Sequence, residues 1–294
     1  RRQRQMCIRD SFVLGSVWCA LAGGVGDLAA ARTFLGVAVG GVSIVTPMYI
    51  AEMSPAKVRG KLVSLNTLMI VVGQLLAYLV NSVLAHTGSW QWMLGLAAVP
   101  GAALAVGMLL LPETPLWQAR RGARRQAEVT AARVGMSSDE LEELLLDDAQ
   151  TRQAASAGEW RTLRRTPWLR STVLVAALLG VTQQVTGVNA IVYFAPTMME
   201  TVGLSTENAV YTSIVIGLVS VVACWVGLQV VDRIGRTRLL LIGLAGNVVF
   251  LVALAVMFRA AEGNAALAWV ALACMAGFIA SQQAAVSPTT WLLI

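Results

Sequence analysis

The chain has 294 residues, 57% of them hydrophobic and 13% charged, with a mean hydropathy of +0.69; soluble domains run at roughly 45–50% apolar and about 25% charged, so a soluble globular domain is excluded. The formal charge of +6 does not indicate nucleic acid, because the basic residues cluster in short segments between apolar runs instead of lining an aromatic-studded groove. Cys7, Cys19, Cys224 and Cys274 show no CxxC or paired spacing, which argues against a disulfide framework or a metal knuckle.

At about 20 apolar residues per crossing, eight membrane spans are expected in chain order, at 11–26, 29–50, 62–86, 92–111, 169–199, 208–231, 239–259 and 267–294. The first is short, because Arg9 and Asp10 stand where it should begin. In the second, Gly36, Gly40 and Gly41 have the small-xxx-small spacing that predicts close helix packing. Lys57, Arg59 and Lys61 follow span two, nine arginines lie between spans four and five, and Arg233, Arg236 and Arg238 follow span six; the alternate loops near 87–91 and 200–207 have none. Basic loops stay cytoplasmic, and the alternation fits every span.

Three regions are expected: an incomplete N-terminal half-bundle (1–111), a cytoplasmic helical linker (112–168) and a truncated C-terminal half-bundle (169–294). In the linker, SSDELEELLLDD predicts a helix capped by Ser137 or Ser138. DRIGRTR at 232–238 and the opening RRQRQ give a weak internal repeat, as duplicated transporter halves do. With no initiator Met and an end at WLLI inside an apolar run, the chain reads as a fragment cut at both ends.

Polar side chains inside spans are functional candidates by default. They are Thr67, Gln74 and Asn81 in span three, Gln183, Gln184 and Asn189 in span five, Ser220 in span six, and Gln282, Gln283 and Trp291 in the last. Uncharged amides that donate and accept, with an indole to pack on C–H faces, suit a neutral polyhydroxylated ligand and suit a metal ion or phosphate poorly. On a straight helix Gln184 and Asn189 would point about 140° apart. Gly187, preceded by Thr186, is therefore expected to break the helix and turn both amides inward. The alternative is that these amides only hold helices together. Arg32, about four residues into span two, needs a counter-charge or water at that depth. Glu52, Arg59, Glu113, Asp232, Arg233 and Arg236 sit at the expected cytoplasmic helix ends. There they serve either as solvated anchors or as a clasp that holds an outward-facing state.

PMYIAEMSPAKVRGKLVSLN (47–66), PETPLW (112–117), QQVTGVNAIVYF (183–194), VDRIGRTR (231–238) and SPTTW (287–291) resemble, in order and spacing, the signature segments of the sugar porter family of the major facilitator superfamily. The resemblance covers nearly the whole chain. It implies an all-α membrane fold of twelve helices, about eight of them (helices 3–10) present here, with 112–168 as the intracellular helical domain. It also implies that Gln183, Gln184 and Asn189 bind sugar, that Trp291 lies under the ring, and that Arg32 pairs with a helix-one aspartate in proton-coupled members. The cytoplasmic charges Glu52, Arg59, Glu113, Asp232, Arg233 and Arg236 match the family's gating network.

Hexose porters of this family commonly place a glutamine where this chain has Thr67 and an asparagine where it has Ser220, and Leu116 stands where PESPR-type motifs carry arginine. LNTLMIVVGQLLAY, GLVSVVACWVG and QQAAVSPTTWLL look most similar to bacterial myo-inositol transporters, which adds Thr67, Ser220 and Gln283 to the expected substrate site. The implied protein is a monomeric, multi-pass symporter of the cytoplasmic membrane that moves a sugar or cyclic polyol with a proton. It needs no cofactor, metal or nucleic acid; its partners are substrate, proton and lipid. Alternatives are a uniporter with the same site and a non-transporting nutrient receptor. The absence of HExxH, a nucleophile elbow or a P-loop argues against an enzyme.

Overall fold

The computed structural model describes residues 2–85, 88–156, 166–201, 206–260 and 265–293, with side chains for these except 2–10, 105, 108–109, 151–156, 206–210, 232, 260, 265–268 and 291–293. Among the described residues the regular structure is helical, without strands. Contacts divide the chain into two compact units, 1–66 with 83–157, and 67–82 with 158–294.

The first unit contains α1 (Arg2–Leu21), α2 (Val25–Met53), the ends of α3 (Ala56–Ala85), α4 (Trp90–Gly95) and α5 (Ala98–Leu110). Asp27, in the first turn of α2, accepts from Trp18 Nε1 at 2.8 Å and from the Gly23 N–H at 3.1 Å, so a carboxylate sits at the helix's positive end. Ser54 ends α2 in an extended conformation (φ −106°, ψ 133°) because the residue before a proline, here Pro55, is pushed out of the helical region. α1 packs on α2, α4 and α5. Gly101 makes room for the Phe12 ring, which would lie 2.6 Å from a Cβ there.

Beyond the bundle helices, α6 (Pro115–Arg120), α7 (Arg124–Arg133) and α8 (Ser138–Ser156) close on a small core of Ala131, Met136 and Leu141. Ser137 is the capping residue of α8. Its Oγ accepts from the Glu140 N–H while Glu140 Oε2 accepts from the Ser137 N–H, each at 3.1 Å, a reciprocal capping box. Leu116 is buried, as suits an apolar side chain at that position.

Among the described residues six helices are long and apolar enough to cross a membrane. The first expected span falls on the short apolar part of α1, Ser11–Leu21. The fourth is divided into α4 and α5. Pro100 lacks the N–H that would bond Leu96, and the chain turns at Leu96 and Ala97. The close packing expected at Gly36 and Gly40 is not seen: among the described residues nothing lies within 4 Å of a Cβ built on either.

The second unit contains the middle of α3, then α9 (Pro167–Val185), α10 (Val188–Thr201), α11 (Thr206–Ile234), α12 (Arg236–Ala260), α13 (Ala265–Ser281), a π-helical turn (Gln282–Val286) and α14 (Ser287–Leu293). Ile191, Ala195 and Met199 of α10, Ile216 of α11, Leu254 of α12 and Leu272, Met275, Phe278 and Ile279 of α13 form its core. On α12, Leu241, Ile242, Val248, Val249, Val252 and Val256 are exposed along one stripe, the surface a membrane helix offers to lipid. Its opposite face carries Gly243, Gly246 and Asn247 against α13 and the π turn. Gly235, at φ +89°, makes the tight turn from α11 to α12 within the DRIGRTR segment, a conformation that favours glycine.

Candidate functional site

The expected break is present. α9 ends at Val185, Thr186 caps it, Gly187 adopts φ +82°, and α10 restarts at Val188. The Thr186 hydroxyl bonds the Gln183 carbonyl at 2.7 Å, satisfying one of the backbone acceptors left at the end of α9. The change of direction brings the two amides together: Asn189 Nδ2 donates to Gln184 Oε1 at 2.9 Å. Both side chains are exposed, and Gln183 is half-buried. Their mutual bond uses one donor and one acceptor. It leaves the Gln184 amide N–H groups and the Asn189 carbonyl oxygen open, and among the described residues neither side chain makes another hydrogen bond. A donor and an acceptor side by side within a span match a pair of neighbouring hydroxyls.

Gln282 and Gln283 are separated in role by the π turn they open. The Ser287 N–H reaches back five residues to the Gln282 carbonyl, which widens the helix just before Pro288, a residue with no N–H of its own. Gln282 points inward and is 1% exposed; its Oε1 accepts from Asn247 Nδ2, while the Ser281 hydroxyl donates to Asn247 Oδ1 at 2.6 Å. Gln283 stays half-buried. Glycines allow this approach: a Cβ on Gly243 would lie 2.5 Å from that of Ala285, and one on Gly227 would run into the Ala284 carbonyl.

Thr67 and Ser220 belong to the same unit and are both buried. Ser220 is fully closed to solvent and donates to the Ile216 carbonyl of its own helix at 2.8 Å. Trp291 is placed on α14, but its side chain lies outside the described residues. Arg32 is exposed on α2 in the other unit.

The charges expected on the cytoplasmic side fall in both units. In the first, Glu52 is buried and accepts from the Thr114 hydroxyl at 2.6 Å, while the same oxygen of Thr114 accepts from the Trp117 N–H and caps α6. Tyr49 donates to the Pro112 carbonyl at 2.9 Å, so the PMYIAEM and PETPLW segments are joined at two points. Arg59 is half-buried, with Nε buried and without a hydrogen-bond partner among the described residues, and Glu113 is half-buried. In the second unit Arg233 and Arg236 are exposed, and the Asp232 side chain lies outside the described residues. In the first unit Arg120 pairs with Asp148, and that hydrogen bond raises the guanidinium pKa above its usual value against the smaller, opposing effect of burial.

Sequence reasoning missed Asn247 and Tyr78. Asn247 is a lone amide in the apolar run LIGLAGNVVFLV and was as visible as Gln282. Tyr78 passes as an ordinary apolar-span residue, and its partner lies 114 positions away.

Residues 1–294 match the family described as sugar (and other) transporter. In Bacillus subtilis (strain 168), the probable metabolite transport protein CsbC is 33% identical over 296 residues, and the major myo-inositol transporter IolT is 34% identical over 302. Each alignment covers 100% of this chain and 63% of the relative, so the chain spans less than two thirds of these relatives' length. Among solved structures, the proton:xylose symporter XylE from E. coli bound to 6-bromo-6-deoxy-D-glucose superposes with a TM-score of 0.81 at 27% identity, over 100% of this chain and 66% of that one. The fold is therefore that of the major facilitator superfamily, and its setting is the plasma membrane, crossed several times. The chain belongs to the sugar porter family.

Proposed function

We propose that the full-length protein is a secondary active transporter that carries a neutral sugar or cyclic polyol, with myo-inositol the favoured substrate, by alternating access and proton symport. The observation that carries this reading is the Gln184–Asn189 pair at the Gly187 break, an open donor and acceptor inside a membrane span. Gln183, Gln283 and Trp291 complete the polar and aromatic lining, and Thr67 and Ser220 set selectivity. The myo-inositol assignment draws on the likeness to IolT, and proton coupling on the likeness to XylE. Arg32 serves the coupling by pairing with the protonatable carboxylate that the family resemblance assigns to another helix. Glu52, Arg59, Glu113, Asp232, Arg233 and Arg236 form a cytoplasmic clasp between an N-terminal half (1–111), a linker (112–168) and a C-terminal half (169–294).

The test is uptake of radiolabelled myo-inositol by the full-length protein in a transport-deficient host, with and without a protonophore, against unlabelled glucose and xylose. Uptake abolished by the protonophore, indifferent to glucose, and lost in Gln184→Ala and Asn189→Ala supports the reading. Competition by glucose moves the substrate to hexoses, protonophore-insensitive uptake makes the protein a uniporter, and unchanged uptake in both amide variants removes the site.

A further inference from the structure

α10 is a half-helix of 14 residues, cut loose from α9 by Gly187, with Asn189 in its first turn. Its direction decides where that amide points. One face is held by the core through Ile191, Ala195 and Met199. A second constraint comes from its proline. Pro196 has no N–H, so the Val192 carbonyl, four residues earlier, lacks its usual donor in its own helix. In a membrane span such a carbonyl needs a partner from elsewhere. The Tyr78 hydroxyl of α3 supplies it, donating to Val192 O at 3.1 Å. Gln74, one turn before Tyr78, donates its amide to the same hydroxyl at 3.0 Å and so fixes the hydroxyl's own proton toward Val192. Gly217 of α11 lets α3 come this close: a Cβ there would lie 2.9 Å from both Leu75 Cδ1 and Tyr78 Cδ2.

We propose that Tyr78 is a positioning residue for substrate: through the Val192 carbonyl that Pro196 leaves free, it holds the half-helix that presents Asn189 to Gln184. The inference rests on the reading of Gln184 and Asn189 as the substrate site. Tyr78 does not touch substrate in this scheme. It sets the angle of α10, and Gln74 orients its hydroxyl.

Tyr78→Phe keeps the ring against Gly217 and removes only the hydroxyl. Pro196→Ala restores an N–H to the Val192 carbonyl and makes the tyrosine bond redundant. Both changes act on the same carbonyl, so they should not add. Uptake kinetics of radiolabelled myo-inositol by the full-length protein are measured for Tyr78→Phe, Pro196→Ala, the double variant and Asn189→Ala. Each single change is expected to raise KM about tenfold, the scale of one hydrogen bond to a buried carbonyl. The maximal rate per folded molecule should stay within about twofold, and the double variant should be no worse than the weaker single. A merely structural role would lower the amount of folded transporter and leave KM alone. KM unchanged in Tyr78→Phe while Asn189→Ala raises it overturns the positioning role and leaves the site standing. Additive losses in the double variant overturn it too, because they place Tyr78 and Pro196 on separate paths. If Asn189→Ala also leaves KM unchanged, the site itself fails and this inference falls with it.

Discussion

Gly187→Ala tests the geometry most directly. At φ +82° the backbone lies in the left-handed region, and among the described residues nothing stands within 4 Å of a Cβ placed there. An alanine therefore meets no steric obstacle, and its whole effect is conformational. Forcing an L-residue into that region costs about 1–2 kcal/mol. The chain escapes this cost by straightening α9 into α10, which turns Gln184 and Asn189 about 140° apart and undoes their 2.9 Å bond. Substrate affinity should then fall roughly 5- to 30-fold, the factor that 1–2 kcal/mol represents. Gly187→Asn supplies the control, since asparagine is bulkier than alanine yet tolerates the left-handed region better. Calorimetric titration of the detergent-solubilised full-length protein with myo-inositol should rank the variants glycine, asparagine, alanine in descending affinity. Asparagine weaker than alanine would refute the argument and show that bulk near the ligand matters. Equal affinity for all three would mean that binding does not use the break.

Three further perturbations probe other parts of the molecule. Asn247→Leu strands the buried amide of Gln282 and should cost about 1–3 kcal/mol, seen as a lower thermal midpoint. The double change with Gln282→Leu should recover much of that loss, and summed losses would show that the two amides do not depend on each other. Thr114→Val removes one donor to buried Glu52 and should also cost about 1–3 kcal/mol, whereas Thr114→Ser keeps the hydroxyl and should cost less; equal destabilisation by both would show that the hydroxyl is not what the site depends on. Arg120→Gln should cost no more than about 1 kcal/mol, because the pair with Asp148 is partly exposed. That loss should shrink in 1 M salt, where charges are screened over about 3 Å, and a larger, salt-insensitive loss would contradict the reading.

The elements most legible in the sequence were those that depend on neighbours close in the chain. The Ser137–Glu140 capping box and the break after Thr186 each follow from residues within a few positions of one another. Hydropathy alone reads apolarity and not backbone donors, which is why spans four and eight looked continuous. Pro100 and Pro288 each withhold an N–H; the first accompanies the division of α4 from α5 and the second follows the π turn. The glycine spacing at Gly36 and Gly40 misled for a related reason. Small residues permit close packing but do not supply the partner: Gly217 and Gly227, which stand at the same spacing from Ser213 and Ala223, do meet a neighbour.

Polar residues inside spans divide in this structure by what remains of their hydrogen-bonding capacity, and that division carries the functional argument further than their positions do. Ser220 gives its hydroxyl to Ile216, and Thr289 and Thr290 give theirs to carbonyls of the turn before them. Asn247, Ser281 and Gln282 satisfy one another while buried, which joins α12 to α13 and the π turn. Tyr78 is committed to Val192. The amides and Tyr78 would lose a partner by turning to a ligand and behave as the glue that polar residues often provide between membrane helices, while Ser220, Thr289 and Thr290 only satisfy carbonyls one turn back along the chain. Gln184 and Asn189 differ. They spend one bond on each other and keep a donor and an acceptor exposed, next to a left-handed glycine that interrupts an expected span. An unspent pair inside a span is costly against hydrocarbon and satisfied by a polyhydroxylated guest. The residues that hold it, Gly187 by conformation and Tyr78 through the carbonyl that Pro196 leaves free, are therefore where substitution should change affinity with the least change in fold.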